Sequence, residues 1–176
     1  MPSTPADGWL TQSASDHWAA KRLLDPDDSQ SFCHAVAKSQ QSVEKTVKAI
    51  VFASRQIGIT INFSYSHNLD AVIQGFNRAP RKKHKRTDVL NRICGLLGDP
   101  QIRVLSALAP ERPPPGSHWK RNTEYPFQDD ASKWVAPADE GAFSFEEAKR
   151  FERFSERLFL DACKIISAIR RSKAGA

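Results

Sequence analysis

The hydrophobic positions of this chain recur at helical spacing over most of its length. In the clearest segment, apolar residues lie three or four positions apart, or twice that distance, from Phe32 to Ile50, as on one face of a helix. Ser29 or Ser31 marks the start of this segment, and Gly58 marks its end. The pattern predicts a helix of roughly 27 residues, or about 40 Å at 1.5 Å per residue.

A second long helix is predicted at the end of the chain. Ser144 and Glu147 have the spacing of a capping box, in which the serine and glutamate side chains satisfy free amides of the first turn. An apolar stripe at helical spacing follows this box, and its members are Ala148, Phe151, Leu158, Ala162, Ile165 and Ile169.

Shorter helices are predicted between and before these two. The first covers about residues 15–25 and follows a loose arm formed by residues 1–12. Another runs from Ser66 to Asn77, and a third runs from Thr87 to Leu97. A short helical segment continues from there to about Ala109.

Two segments depart from the helical pattern. Residues 59–65 alternate apolar and polar side chains, but no other segment offers a partner strand, so an extended connector is predicted. Residues 110–142 hold six of the eleven prolines and four large aromatic side chains, which predicts a long ordered loop docked on the helical bundle. The whole pattern predicts an all-α, up-and-down bundle of four or five helices in a single domain over residues 13–173.

Basic charge is concentrated at one place in the sequence. The formal net charge is +6, and the run from Arg81 to Arg86 supplies five of those positive charges without an acidic residue. Clustered lysine and arginine release counterions from nucleic acid, so Lys82, Lys83 and Lys85 are predicted nucleic-acid contacts. The alternative is a solvated loop that contacts no partner.

Other features exclude several classes of protein. The three cysteines are far apart and have no metal-ligand spacing, which favours reduced thiols in a cytoplasmic protein. No apolar stretch approaches the ~18 residues of a membrane span. There is no glycine-rich phosphate loop, HExxH or GxSxG motif. We therefore expect no cofactor, no bound metal and no membrane partner.

The long second helix carries two candidate binding residues. Lys45 and Lys48 are three positions apart and share a face, and Glu44 precedes Lys48 by four positions, the favourable order for an ion pair. The alternative is an ordinary solvated helix face. His67, at the start of the third helix, is a candidate donor to a phosphate or base, or a structural hydrogen-bond partner.

The end of the long loop carries a further group of candidates. Arg121, Asn122 and Tyr125 lie within the segment RNTEYP. A guanidinium fork binds two oxygens of a phosphate, so Arg121 is a candidate phosphate ligand. The alternative is that Arg121 ties the loop to an acidic residue of the bundle.

Taken in order, these segments resemble the HEPN domain family (higher eukaryotes and prokaryotes nucleotide-binding). The resemblance covers about residues 13–171 and is carried by QQSVEKTVKAIVFASRQIGI, SHNLDAVI, RNTEYPF and the acidic cap of the last helix. It implies a four- or five-helix bundle, often a homodimer, that binds nucleotides or RNA in a toxin–antitoxin or defence system. It also implies a nucleotidyltransferase-like or antitoxin partner.

Many HEPN proteins are metal-independent ribonucleases with an arginine, often followed by asparagine, and a histidine after four to six intervening residues. Arg121 and Asn122 match the first half of this motif, and they contribute to the predicted nucleotide site. Pro126 follows where a histidine could stand, and no histidine comes after it. The Tyr125–Pro126 ending resembles that of members thought to bind without cutting.

Metal-free RNA cleavage needs a proton acceptor and a proton donor. A tyrosine with a pKa of about 10 is a poor base. The sequence therefore predicts nucleotide or RNA binding, with Arg121 and Tyr125 as candidate catalytic residues if cleavage occurs. One alternative is an active ribonuclease toxin that uses Arg121, or the pair Arg112 and His118, together with His67. The other is a non-catalytic module that dimerises.

Overall fold

A computed structural model describes residues 4–59, 69–79, 87–109, 120–139 and 141–174. Within these residues the chain forms six α-helices and a single two-stranded sheet. The helices are α1 (Pro5–Arg22), α2 (Phe32–Ser54), α3 (Leu69–Arg78), α4 (Thr87–Leu97), α5 (Pro100–Ser106) and α6 (Phe145–Ala174). The strands are β1 (Phe127–Gln128) and β2 (Trp134–Val135). The predicted all-α class is confirmed.

The first helix begins about ten residues earlier than predicted. Thr4 caps it by accepting a hydrogen bond from the Asp7 amide at 3.3 Å, and Pro5 occupies its first turn. Proline suits this position because its missing N–H would be unpaired there anyway. The predicted loose arm over residues 1–12 is thus wrong from Pro5 onward. Asp7 also pairs with Arg170 of α6, which ties the start of α1 to the end of the chain.

The central helix follows the prediction closely. A 3-10 turn over Ser29–Ser31 leads into α2, and a second turn over Arg55–Ile57 ends at Gly58. Gly58 adopts a φ of 78°, a left-handed conformation that glycine tolerates without a steric penalty. α2 packs against both α1 and α6, so most of its surface is buried.

The shorter helices match their predicted positions where the structure describes them. α3 ends at Arg78 and α4 spans Thr87–Leu97. The short segment after α4 is a separate helix, because the Asp99 side chain accepts a hydrogen bond from the Gln101 amide at 2.9 Å. The predicted cap at Ser66 and nearly all of the predicted connector lie outside the described residues.

The last helix begins where predicted, but only the serine half of the predicted capping box is formed, because the Glu147 carboxylate accepts hydrogen bonds from Arg121 instead. The Ser144 hydroxyl accepts a hydrogen bond from the Glu147 amide at 3.1 Å. α6 then packs mainly against α2 and also contacts α1 and α4. The largest fully buried side chains come from every helix but α1, and they include Ile50, Leu69, Phe76, Ile93, Ile102, Leu105, Phe151 and Leu158.

The described part of the long loop contains a hairpin that the sequence pattern did not predict. Phe127 faces Val135 and Gln128 faces Trp134 across two antiparallel strands. Phe127 is buried, whereas the Trp134 side chain is exposed. The aromatic side chains of this loop are therefore not all docked on the helices.

Among the described residues, no helix combines the length and the apolar character that crossing a membrane requires.

Candidate nucleic-acid interface

The Arg121 guanidinium is held in place by hydrogen bonds to other residues of the protein. Its Nε and one terminal nitrogen donate to the Ala142 carbonyl at 3.1 and 2.6 Å. Its two terminal nitrogens also donate to the two Glu147 carboxylate oxygens at 3.1 and 2.6 Å. Four of the five N–H donors of a guanidinium are thereby used. Of the two interpretations of Arg121, the geometry favours the loop anchor.

Asn122 shapes the turn that follows. Its side-chain oxygen accepts hydrogen bonds from the Glu124 and Tyr125 amides at 2.9 and 2.7 Å. Its amide nitrogen donates to the Lys120 and Tyr125 carbonyls at 2.8 and 3.1 Å. The residue is 2% exposed. The predicted nucleotide contact by Asn122 conflicts with this burial, since all four hydrogen bonds would have to break. Tyr125, in contrast, lies on the surface.

The two lysines of α2 are also engaged within the fold. The Lys48 ammonium donates to Glu44 at 2.5 Å and lies 5.0 Å from the centre of the Trp9 ring. Glu44 and Lys48 are both buried, so the interpretation as a solvated helix face is wrong for this pair. The predicted nucleotide contact by Lys48 conflicts with the same burial.

Lys45 pairs with Asp16 of α1, as does Lys38 at 3.2 Å. The Lys45 side chain is only partly exposed. A phosphate would therefore compete with a buried carboxylate for its ammonium.

Several predicted residues fall outside the described part of the chain. They are His67, Lys82, Lys83 and Lys85, together with the alternative pair Arg112 and His118. Their predicted roles stay predictions.

Replacement of Arg121 by alanine tests whether it is an anchor. We expect the free energy of unfolding to fall by about 1–2 kcal/mol, because charge-assisted hydrogen bonds are lost at a half-exposed position. Urea unfolding followed by circular dichroism measures this loss. Lys120→Ala, at the neighbouring exposed position, is the control. Unchanged stability in the Arg121 variant would contradict the anchor.

A cleft of about 640 Å³ lies between the start of α2 and the loop. Its lining includes His34, Lys38 and Glu124. Lys38 is already paired with Asp16, and Glu124 adds negative charge. Cys33 also lines the cleft, and burial raises the pKa of its thiol, so it is a poor nucleophile near neutral pH. The charge of this cleft does not suit a phosphate.

A second depression, between α5 and α6, is lined mainly by basic side chains. We call it the basic groove, and it has a volume of about 370 Å³. Its described lining consists of Gln101, Glu146, Lys149, Arg150, Arg153, Phe154 and Arg157. Four of these seven residues are cationic and one is acidic.

Three of the four cations in the basic groove have no acidic partner in the part of the chain that the structure describes. Arg157 pairs with Asp99 at 2.9 Å. Among the described residues, no carboxylate forms an ion pair with Lys149, Arg150 or Arg153.

Two cations of the basic groove lie over aromatic rings, and one polar side-chain atom of its lining lacks a hydrogen bond within the described part of the chain. The Lys149 and Arg150 side chains lie over the rings of Phe145 and Phe151, at 5.1 and 5.0 Å from the ring centres. The Gln101 side-chain oxygen is buried and accepts no hydrogen bond from any residue that the structure describes. The arrangement offers fixed positive charges to an anion from solvent.

The sequence did contain a signal for this groove. Lys149, Arg153 and Arg157 are four positions apart in turn, so they lie on one ridge of a helix. Acidic residues are interleaved with them, at Glu147, Glu152 and Glu156 among others, which makes the net charge of the segment unremarkable. The contacts of α6 separate the two kinds of charge: Glu147 faces Arg121 and Glu152 is buried.

Comparisons of this chain with models of protein families, with curated protein sequences and with solved structures found no match.

Proposed function

We propose that the protein binds the phosphate backbone of RNA through the basic groove, without cleaving it. The observation that carries this proposal is the set of three cations, Lys149, Arg150 and Arg153, that line one groove and have no carboxylate partner among the described residues. Cations of this kind bind phosphates because counterions are released into solution.

The spacing of the cations favours a strand over a single phosphate group. Residues four positions apart on a helix are separated by about 6 Å along its axis, so Lys149 and Arg153, which have no carboxylate partner among the described residues, are about 6 Å apart along α6. A row of that length reaches successive phosphates of a polymer. The phenyl rings beneath Lys149 and Arg150 hold these long side chains near the groove.

Binding without cleavage fits the chemistry of the described residues. Arg121 already donates to Ala142 and Glu147. Neither histidine that the structure describes, His17 or His34, lines the basic groove. Proton transfer at neutral pH is the task for which histidine is suited. The HEPN resemblance is a separate reason to propose RNA as the ligand.

Replacement of both Arg150 and Arg153 by glutamine tests the binding surface. We expect affinity for a fluorescent single-stranded RNA to fall about tenfold at moderate salt. The slope of log K against log salt should become shallower by about 1.4, because each phosphate contact on a single strand contributes about 0.7. Fluorescence anisotropy over a salt series measures both quantities.

A matched control separates the groove from overall charge. Lys21 and Lys133 are exposed and lie on α1 and in the hairpin turn, so the variant Lys21→Gln/Lys133→Gln loses the same charge elsewhere. An equal loss of affinity in this control, or an unchanged salt slope in the groove variant, would contradict the proposal.

A cleavage assay tests the other half of the proposal. Incubation of the protein with labelled RNA in EDTA should leave the RNA intact on a gel. Cleavage that disappears in Arg121→Ala would instead identify a metal-independent ribonuclease.

A further inference from the structure

A histidine and two glutamates from distant parts of the chain converge between α1 and α6. His17 of α1 faces Glu152 and Glu156, which are one helical turn apart on α6. The His17 Nε2 atom lies 3.7 Å from one carboxylate oxygen of each glutamate. One ligand atom from each of the three residues lies within 4.8 Å of the other two.

A neighbouring serine determines which histidine nitrogen carries a proton. The Ser155 hydroxyl donates its single proton to the Glu152 carbonyl at 2.8 Å. It must therefore accept a hydrogen bond from His17 Nδ1, which lies 3.2 Å away. Nδ1 is the protonated nitrogen of the neutral ring, and the Nε2 lone pair points to the two carboxylates. A metal-bound histidine commonly donates its other ring N–H in this way, to an acceptor that does not itself bind the metal.

The environment of the Glu152 carboxylate also bears on what this cluster could bind. Its side chain is 8% exposed and accepts no hydrogen bond from any described residue. A buried carboxylate needs a compensating partner, because the loss of water around its charge is costly. Its nearest partner in the described chain is His17 at 3.7 Å, which is beyond hydrogen-bond distance.

We propose that His17, Glu152 and Glu156 bind a divalent transition-metal ion of the zinc type. At metal–ligand distances of 2.0–2.2 Å, the ligands of a tetrahedral site are about 3.3–3.6 Å apart. The observed 3.7 Å separations are close to this value. A protonated His17 shared by two carboxylates should instead show charge-assisted hydrogen bonds of about 2.7–2.9 Å.

The donor set selects the class of metal. One imidazole nitrogen and two carboxylate oxygens suit Zn²⁺ or Co²⁺, whereas Mg²⁺ and Ca²⁺ prefer oxygen ligands alone. Glu156 is half-exposed, so solvent can reach the ion and supply a fourth ligand. A bound ion joins α1 to α6 and stabilises the folded state, because the unfolded chain lacks the site. This inference does not depend on RNA binding.

The site can be tested by titrating the full chain with Co²⁺ and recording its visible spectrum. We expect one equivalent to bind with the visible d–d bands of a four-coordinate nitrogen–oxygen site, which are stronger than those of a six-coordinate ion, and with no thiolate charge-transfer band. Zn²⁺ should displace Co²⁺ and should raise the midpoint of thermal unfolding by several degrees.

Two variants and one control complete the test. Glu156→Gln keeps the side-chain volume at a half-exposed position, and His17→Gln removes the imidazole. Both should lose the Co²⁺ bands and the Zn²⁺-dependent thermal shift, while His34→Gln, at an exposed histidine of α2, should keep them. Circular dichroism confirms that the variants are folded. Absence of Co²⁺ binding in the unmodified protein, a thiolate band, or binding unchanged in both site variants would overturn the proposal.

Discussion

Replacing Glu44 with leucine is expected to lower the free energy of unfolding by about 3–5 kcal/mol. The change leaves the Lys48 ammonium buried, with no other carboxylate of the described residues paired to it. The cost of an uncompensated buried charge exceeds that of losing an exposed ion pair several-fold. Chemical unfolding in urea, followed by far-ultraviolet circular dichroism, measures the difference.

A double replacement distinguishes the charge from the packing. Glu44→Leu/Lys48→Met removes both charges and keeps similar volumes, so most of the lost stability should return. Glu146→Gln, at an exposed position on α6, should change stability by less than about 0.5 kcal/mol. The prediction fails if the double variant is as unstable as the single one. That outcome would show that packing, and not the isolated ammonium, is responsible.

The second large effect is expected at Asn122. Replacement by alanine removes four hydrogen bonds between the Asn122 side chain and backbone groups of the turn that follows Arg121. Buried backbone groups left without a partner cost about 1–3 kcal/mol each, less where water reaches them. We expect the free energy of unfolding to fall by about 2–4 kcal/mol, measured in the same urea assay.

The same variant separates a structural role from a binding role. Asn91→Ala, at an exposed position on α4, is the matched control and should have little effect. Below its unfolding transition, Asn122→Ala should bind RNA with the affinity of the unmodified protein, because Asn122 is not in the basic groove. Weakened RNA binding with unchanged stability would instead support the direct nucleotide contact that the sequence predicted.

The correct fold predictions rest on local signals. α2 and α6 follow from hydrophobic spacing together with the turn at Gly58 and the cap at Ser144. These signals involve residues a few positions apart, so the sequence displays them directly. The start of α1 was missed because Pro5 and the short Thr4–Asp7 cap are also typical of an irregular arm. The first turn of α1 is held against the rest of the protein by the burial of Ala6 and by the ion pair between Asp7 and Arg170.

The candidate site was harder to predict, because whether a charged side chain is free to bind a ligand does not depend on its sequence neighbours alone. The sequence shows only that Lys48 and Arg121 are basic residues, whereas in the fold each forms an ion pair with a glutamate. Arg150 and Arg153 stand in a segment of alternating charge, but they are left facing a groove. Which cations remain unpaired depends on where α6 meets the loop and α5.

By itself the sequence determined the helical class, the positions of the long helices and the concentration of positive charge, since these depend on composition and on spacings of a few residues. Only the tertiary structure decided which charged side chains are buried in pairs and which line a common surface. His17 and Glu152 show the physical reason: they lie at opposite ends of the chain, and only the packing of α1 against α6 brings their side chains together. The free energies of ion pairing and of desolvation depend on which groups are close in space. They are therefore determined only when distant segments of the chain pack together.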